Sequence, residues 1–242
     1  MTTFSTRAAL MDASLQGRAR TLGLQRLYFD AREYARAKRE TLDMSGVDRA
    51  GVLFVHVPKC AGTTVIRQRP EIAHGHRSAS FFAWRDPALF ERCFTFGSVR
   101  NPYDRLVSAF HYLRSDKTSV RDGEFGARAV GHYADFQAFA ADLSRTSVRA
   151  RTLGWVHFLP QTYYLCDRKG RVLVDFVGRT ETFADDLDRV NEKTGLGLEN
   201  IRERSVARAS WRDFYNTRTA KIAEEIYAED FATFGYERVR DL

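Results

Sequence analysis

Cysteine is scarce in this sequence: Cys60, Cys93 and Cys166 are the only three in 242 residues. An odd number at irregular spacing argues against a disulfide framework and fits a reducing compartment. None pairs as a metal site, so no metal is expected. Long apolar runs are missing too, every one falling far short of the ~20 residues that a membrane-spanning helix needs. The N-terminus carries Arg7 without an uninterrupted apolar signal core, and a soluble, cytoplasmic protein is the expectation. Zinc-finger spacing, an RNA-recognition signature and a basic run with interleaved aromatics are also lacking, which sets nucleic acid aside as a partner. No internal repeat or low-complexity tract is visible.

What the chain does have is core material and positive charge. Hydrophobic residues make up 44% and aromatic residues 13%, which speaks for a packed core rather than disorder. The length suits one sizeable α/β domain. A formal charge of +7 favours acidic partners such as a nucleotide, a sulfated or carboxylated glycan, or an anionic membrane surface. From residue 5 to residue 42, Leu10, Leu15, Leu22, Leu24, Leu27 and Tyr28 recur at helical intervals, predicting one or two helices broken near Gly17 or Gly23. Their basic face (Arg18, Arg20, Arg26, Arg32, Arg36, Lys38, Arg39) reads as solvated, with peripheral contact to an anionic membrane or a glycan as the alternative. Residues 1–50 are thus set apart as an N-terminal helical extension, ahead of a domain over 51–242.

That domain opens on Gly51-Val-Leu-Phe-Val-His-Val-Pro-Lys-Cys-Ala-Gly-Thr-Thr64. The apolar run predicts a strand buried on both faces of a parallel sheet, stopped by Pro58. Ala61 and Gly62 let backbone N–H groups approach an oxyanion, Thr63 and Thr64 add hydroxyls at a helix start, and Lys59 adds charge. In the Walker phosphate loop the lysine follows the glycine turn. Here it precedes the turn, which counts against a kinase using ATP. Taken alone, the heptapeptide is either an anion cradle or a strand-turn-helix with no ligand.

A second strand-turn-helix unit follows. Residues 93–99 predict a buried strand ending at Arg100, and Pro102, Leu106, Val107, Phe110 and Leu113 predict the helix after it. The stretch between Thr64 and Arg100 is long enough for a helical crossover between parallel strands, so both loops are expected at one sheet edge, where ligands bind. Between them stands Ile72-Ala-His-Gly-His-Arg77. Its histidines read as a metal fragment, a buried polar turn or a catalytic base, and no third ligand stands at metal spacing nearby.

Further on, residues 115–130 are polar, charged and glycine-bearing, predicting a surface loop that borders a binding cleft. Residues 135–143 predict a helix, with helical character continuing through 156. Residues 172–177 predict a third buried strand, and Thr182 a cap for a helix over 183–193 that Gly195 ends.

The order Pro58-Lys-Cys-Ala-Gly-Thr-Thr64 resembles the 5′-phosphosulfate loop of sulfotransferases that use 3′-phosphoadenosine 5′-phosphosulfate (PAPS), especially the carbohydrate group of heparan, uronosyl type. That group has a His-Gly-His segment whose second histidine is the catalytic base, matching His76 with His74 as its neighbour. In PAPS enzymes an arginine at a strand end and a serine eight positions later bind the 3′-phosphate, as Arg100 and Ser108 are spaced. A Pro-Gln segment near His157, Gly178-Arg-Thr-Glu181 and the aromatic C-terminal helix extend the resemblance over most of residues 51–236.

The resemblance implies a P-loop-like three-layer α/β fold with a central, mostly parallel sheet flanked by helices. It also implies PAPS as co-substrate, no metal, and sulfuryl transfer to a hydroxyl or amine of an acceptor, a glycan or glycoconjugate. Lys59, Cys60, Ala61, Gly62, Thr63 and Thr64 would hold the 5′-phosphate, Arg100 and Ser108 the 3′-phosphate. Lys59 and His76 would be catalytic, with His157 a second choice that reads better as a core histidine. Arg105 reads as a structural cation. Cys60 departs from the threonine often found after the lysine, and a thiol is a weak donor. The basic stretch with Arg202, Arg204, Arg208 and Arg212 matches no sharp motif of the late loop that covers the nucleotide in related enzymes. Eukaryotic members carry an N-terminal membrane anchor, and departing from them implies a bacterial-type soluble member. The rival readings are a P-loop-type kinase using ATP and a catalytically inactive nucleotide- or glycan-binding protein. Oligomeric state is not legible.

Overall fold

The computed structural model describes residues 25–201, 209–240 and 242, with side chains in the first range from residue 31 on. The chain forms two compact units, one of Arg26–Arg100 and Gln161–Ala207, the other including Asn101–Pro160 and Arg208–Leu242. In chain order the first runs α1 (Gln25–Arg39), α2 (Ser45–Ala50), β1 (Val52–Val55), α3 (Gly62–Gln68), α4 (Ala79–Arg85), α5 (Pro87–Arg92) and β2 (Phe94–Val99). The other takes over with α6 (Pro102–Leu113), α7 (Val120–Ala129), α8 (Phe136–Asp142) and α9 (Thr146–Thr152). The first unit resumes with α10 (Gln161–Leu165), β3 (Phe176–Arg179) and α11 (Phe183–Thr194), and the other closes with α12 (Thr217–Ile226) and α13 (Ala228–Phe234).

The first unit is built on a parallel sheet of order β1-β2-β3 flanked by helices, the expected α/β architecture. Val52 pairs with Phe94 and Val55 with Gly97, while Phe96 pairs with Phe176 and Val99 with Arg179. All four residues of β1 are buried, as a strand covered on both faces requires. Phe54 packs on Phe96 at 4.9 Å between ring centroids, within a cluster that includes Val65, Ile72, Leu187 and Val190. Burying each such side chain contributes about 1.5–3 kcal/mol. Because the strands are parallel, the segments after Val55 and Val99 leave the sheet at one edge.

The third strand is shorter than the sequence pattern suggests. Only Phe176–Arg179 pairs with β2, and Val172 is 41% exposed. The reason is a side chain standing in for a ladder: Asp175 Oδ2 accepts from both Thr95 N and Thr95 Oγ1 at 2.8 Å. Thr182 caps nothing; its hydroxyl donates to Asp186 Oδ2 at 2.8 Å, and the same oxygen accepts from Arg179 N. Gly195 does end α11, in the left-handed conformation.

Helix α1 is tied to this unit by Glu33, 2% exposed, whose Oε2 accepts from the Ser78 hydroxyl at 2.8 Å. Ser78 in turn accepts from Phe81 N as the N-cap of α4. Arg36 and Arg77 both pair with Glu40, and Arg32 donates to Tyr163 Oη. Part of the basic face is therefore bonded to neighbouring groups rather than solvated. Arg18, Arg20 and the expected break at Gly17 or Gly23 lie outside the described residues.

The other unit packs α6, α8, α12 and α13 around Phe110, Phe136, Phe139, Tyr215 and Phe231. Residues 120–129, expected in a surface loop, form α7. Ser119 caps the helix, accepting from Asp122 N, and Gly126 lets it close on the end of α6, where a Cβ would collide with the Leu113 carbonyl. The expected helix through 156 breaks between Asp142 and Thr146.

Asp122 on α7 gathers Tyr112 Oη, Ser119 Oγ, Trp155 Nε1 and His157 Nε2 at 2.9–3.1 Å. Burial pushes its carboxyl up, but the hydrogen bond and charge of His157, with Ser119 and Tyr112, outweigh this and hold it far below the carboxylate range. A lowered carboxyl stabilises the fold above its unfolded value of about 3.9 and loses that contribution as pH falls toward the folded value. Asp122→Asn is expected to cost about 1–3 kcal/mol at neutral pH and distinctly less near pH 3, measured by urea unfolding. An equal cost at both pH values would remove the carboxylate charge from this account.

Candidate active site

The loop after β1 has an unusual backbone. Lys59 (φ 68°) and Ala61 (φ 60°) are the only non-glycine residues with positive φ among the described residues. The left-handed region costs such residues roughly 1–2 kcal/mol each, and held strain of this kind clusters at functional sites. Left-handed residues alternating with right-handed ones turn successive N–H groups into a concave anion-binding nest, and Ala61 is also the residue from which α3 starts. Lys59 and Thr64 are half-buried and Thr63 is exposed.

Gly62 has a second task. A Cβ there would strike the His56 ring, so the glycine lets the loop close over that imidazole. His56 in turn lies beside His76, the ring centroids 4.2 Å apart and tilted by 41°. The topology explains why His76 arrives here. A parallel bridge between Phe54 and Ala73 sends residues 74–76 alongside the end of β1 toward the loop. His76 Nδ1 is 3.3 Å from the His56 carbonyl oxygen. A carbonyl only accepts, so in this contact Nδ1 carries the hydrogen.

His74 is in a different environment. Its buried Nε2 has no hydrogen-bond partner among the described residues, and its ring centroid is 6.4 Å from that of Phe82. Burial first, and then the Arg77 cation, lower its pKa below the ordinary histidine value, so it is neutral at pH 7.

Arg100, at the end of β2, is half-buried, and its Nη1 donates to the Lys59 carbonyl at 3.4 Å. The residue that joins this arginine to the loop is Gln161, fully buried at the start of α10. Its Oε1 accepts from Arg100 N at 2.8 Å and from Cys60 Sγ at 3.2 Å, while its Nε2 donates to Arg100 O at 2.9 Å. Ser98 Oγ adds a 2.5 Å bond to the Cys60 carbonyl. Sequence reasoning noticed the Pro160-Gln161 pair but gave its candidate role to His157. The available signal was a primary amide, whose donor and acceptor match the N–H and C=O of one residue.

One unit thus brings together the Lys59–Thr64 loop, His76 and Arg100. Ser108 belongs to the other unit, where it is 8% exposed on α6. The Cys60 thiol is fully buried and directed at Gln161, so the loop offers its backbone and not this side chain. His157 is held by Asp122 as a core histidine, and Arg105 is 2% exposed within α6. Arg202, Arg204 and Arg208 lie outside the described residues. Among those described, no group of three or more His, Cys, Asp or Glu could hold a metal ion, and no helix is long and apolar enough to cross a membrane.

Neither a curated protein nor a solved structure matches the chain. A family model does, over residues 43–237, a span running from just ahead of α2 to just past α13 and including every candidate residue named above. With the strained lysine loop, the arginine ending the next strand and the histidine beside the loop all inside the match, the chain belongs to the sulfotransferase family.

Proposed function

We propose that this sulfotransferase takes its sulfuryl group from PAPS and delivers it to a hydroxyl or amine of a carbohydrate acceptor. The observation that carries the reading is the clamp of Gln161 on Arg100 and Cys60. It fixes the backbone of Arg100 relative to a left-handed lysine loop, so that a guanidinium and a phosphate nest stand on one frame, as a nucleotide phosphorylated at both ends would require. The nest at Lys59 and Ala61 fits a phosphate, since its donors are backbone N–H groups and its cation comes from Lys59.

When bound, PAPS supplies a sulfuryl group on a phosphate leaving group. Lys59 and the N–H groups of residues 61–63 hold the 5′-phosphate and offset the charge that grows there, the Thr64 N–H being donated to the Ala61 carbonyl. Arg100 takes the 3′-phosphate with its planar fork, and this aligns the donor for in-line transfer. His76 accepts the acceptor proton at Nε2, its Nδ1 hydrogen remaining on the His56 carbonyl.

The test has two arms. Calorimetry is expected to show 3′-phosphoadenosine 5′-phosphate binding far more tightly than ATP, and radiolabelled PAPS to label at least one member of a glycan panel. Preference for ATP would return the kinase reading. Nucleotide binding without transfer to any glycan, lipid or small-molecule acceptor would leave an inactive binding protein.

A further inference from the structure

The sheet-bearing unit has another concavity, a cleft of about 580 Å³, within the size range of small-ligand sites. Tyr34 of α1 and Trp84 of α4 form one wall, and the turn carrying Asp167, Arg168, Lys169 and Arg171 forms the other. None of these residues takes part in the proposed transfer step.

The turn is built rather than loose. Cys166 bridges Val172 in antiparallel fashion, Gly170 N donates to Asp167 O at 3.0 Å, and Asp167 N donates to Arg171 O at 2.9 Å. Asp167 is the one carboxylate among the described residues that line the cleft, and the turn consumes it. Its Oδ1 accepts from Lys169 N and Arg171 N, and its Oδ2 takes Arg171 Nε at 2.7 Å. Arg168 and Lys169 are exposed at the tip, with no ion-pair partner among the described residues.

Across the cleft, Tyr34 is 50% exposed and meets Trp84 edge to face at 5.8 Å. Lys38 braces the pair, donating to the Trp84 carbonyl at 3.2 Å and lying 5.6 Å from the Tyr34 ring centroid. Rigid aromatic walls present apolar contact area at low entropic cost. With Lys38 over one ring and the rings at 79°, they offer no parallel platform on which a nucleobase would stack. A saturated sugar ring needs no such platform, and the exposed cations Arg168 and Lys169 suit sulfate or carboxylate.

We infer that this cleft binds an acidic sugar unit, sulfated or carboxylated, of the acceptor chain, an inference that rests on the carbohydrate reading above. Helix α4 begins three residues after His76 and carries Trp84 in its last turn, so roughly 10 Å of helix links base to cleft. An extended acidic glycan can then engage both.

Calorimetry with a heparin-derived tetrasaccharide, without donor, tests it. The double variant Arg168→Glu/Lys169→Glu is expected to weaken this binding by about tenfold or more and to leave affinity for 3′-phosphoadenosine 5′-phosphate unchanged. Tyr34→Ala, at an exposed position, is expected to weaken tetrasaccharide binding as well. Unchanged tetrasaccharide affinity in the charge-reversed protein overturns the inference. So does an equal loss toward a single-stranded oligonucleotide of the same charge, which would mark a general polyanion surface. If instead the wild type fails to bind the nucleotide while the tetrasaccharide losses appear, the donor reading falls and the cleft stands.

Discussion

His76→Ala is expected to lower turnover by ~10²- to 10⁴-fold, the usual contribution of a positioned general base, with nucleotide affinity almost unaltered. The two effects separate because of where His76 is held. Its Nδ1 is bonded to the His56 carbonyl and its ring lies beside the His56 ring, whereas the proposed phosphate ligands are Lys59, the loop backbone and Arg100. His76→Asn is the sharper variant, since an amide can still donate to the His56 carbonyl but has no titrating nitrogen. It is expected to be as inactive as the alanine form, because it offers no ring nitrogen to take the acceptor proton. Wild-type turnover in either variant would remove His76 from the mechanism. Activity that survives there but vanishes in His74→Ala would move the base to His74, despite the lowered pKa of that buried ring.

The parts of the site that were legible in the sequence are those written in local chemistry. A run of apolar residues stopped by Pro58, a lysine ahead of two small residues and an arginine closing a second apolar run are each patterns of a few adjacent positions. Both strands and the helices that follow them appear where those patterns put them. Gln161 was not legible because its meaning is tertiary: an amide is informative only once Arg100 and Cys60 stand on either side of it. The same holds for Gly62 and Gly126, which read as turn signals but exist to let His56 and the Leu113 carbonyl come close. Strand β3 began late because the Asp175 side chain takes the Thr95 N–H, a substitution that periodicity cannot register. The His-Gly-His segment was visible in the sequence, while the approach of His76 Nδ1 to the His56 carbonyl came only with the fold, through the bridge at Ala73.

Arg100→Ala is expected to weaken binding of 3′-phosphoadenosine 5′-phosphate by ~1.5–3 kcal/mol, the range for a hydrogen bond to a charged group, or roughly 10- to 150-fold. The backbone at this position should survive the change, because Gln161 holds Arg100 N and O, so the loss belongs to the guanidinium. Arg100→Lys keeps the charge without the planar fork and is expected to fall between the alanine variant and the wild type. The decisive comparison uses adenosine 5′-phosphosulfate, which lacks the 3′-phosphate. If Arg100 grips that phosphate, the alanine variant and the wild type bind the truncated nucleotide alike, and the whole loss appears only with the 3′-phosphorylated ligand. Equal losses toward both nucleotides would instead assign Arg100 to the loop, where its Nη1 already reaches the Lys59 carbonyl, and would leave the 3′-phosphate to other residues.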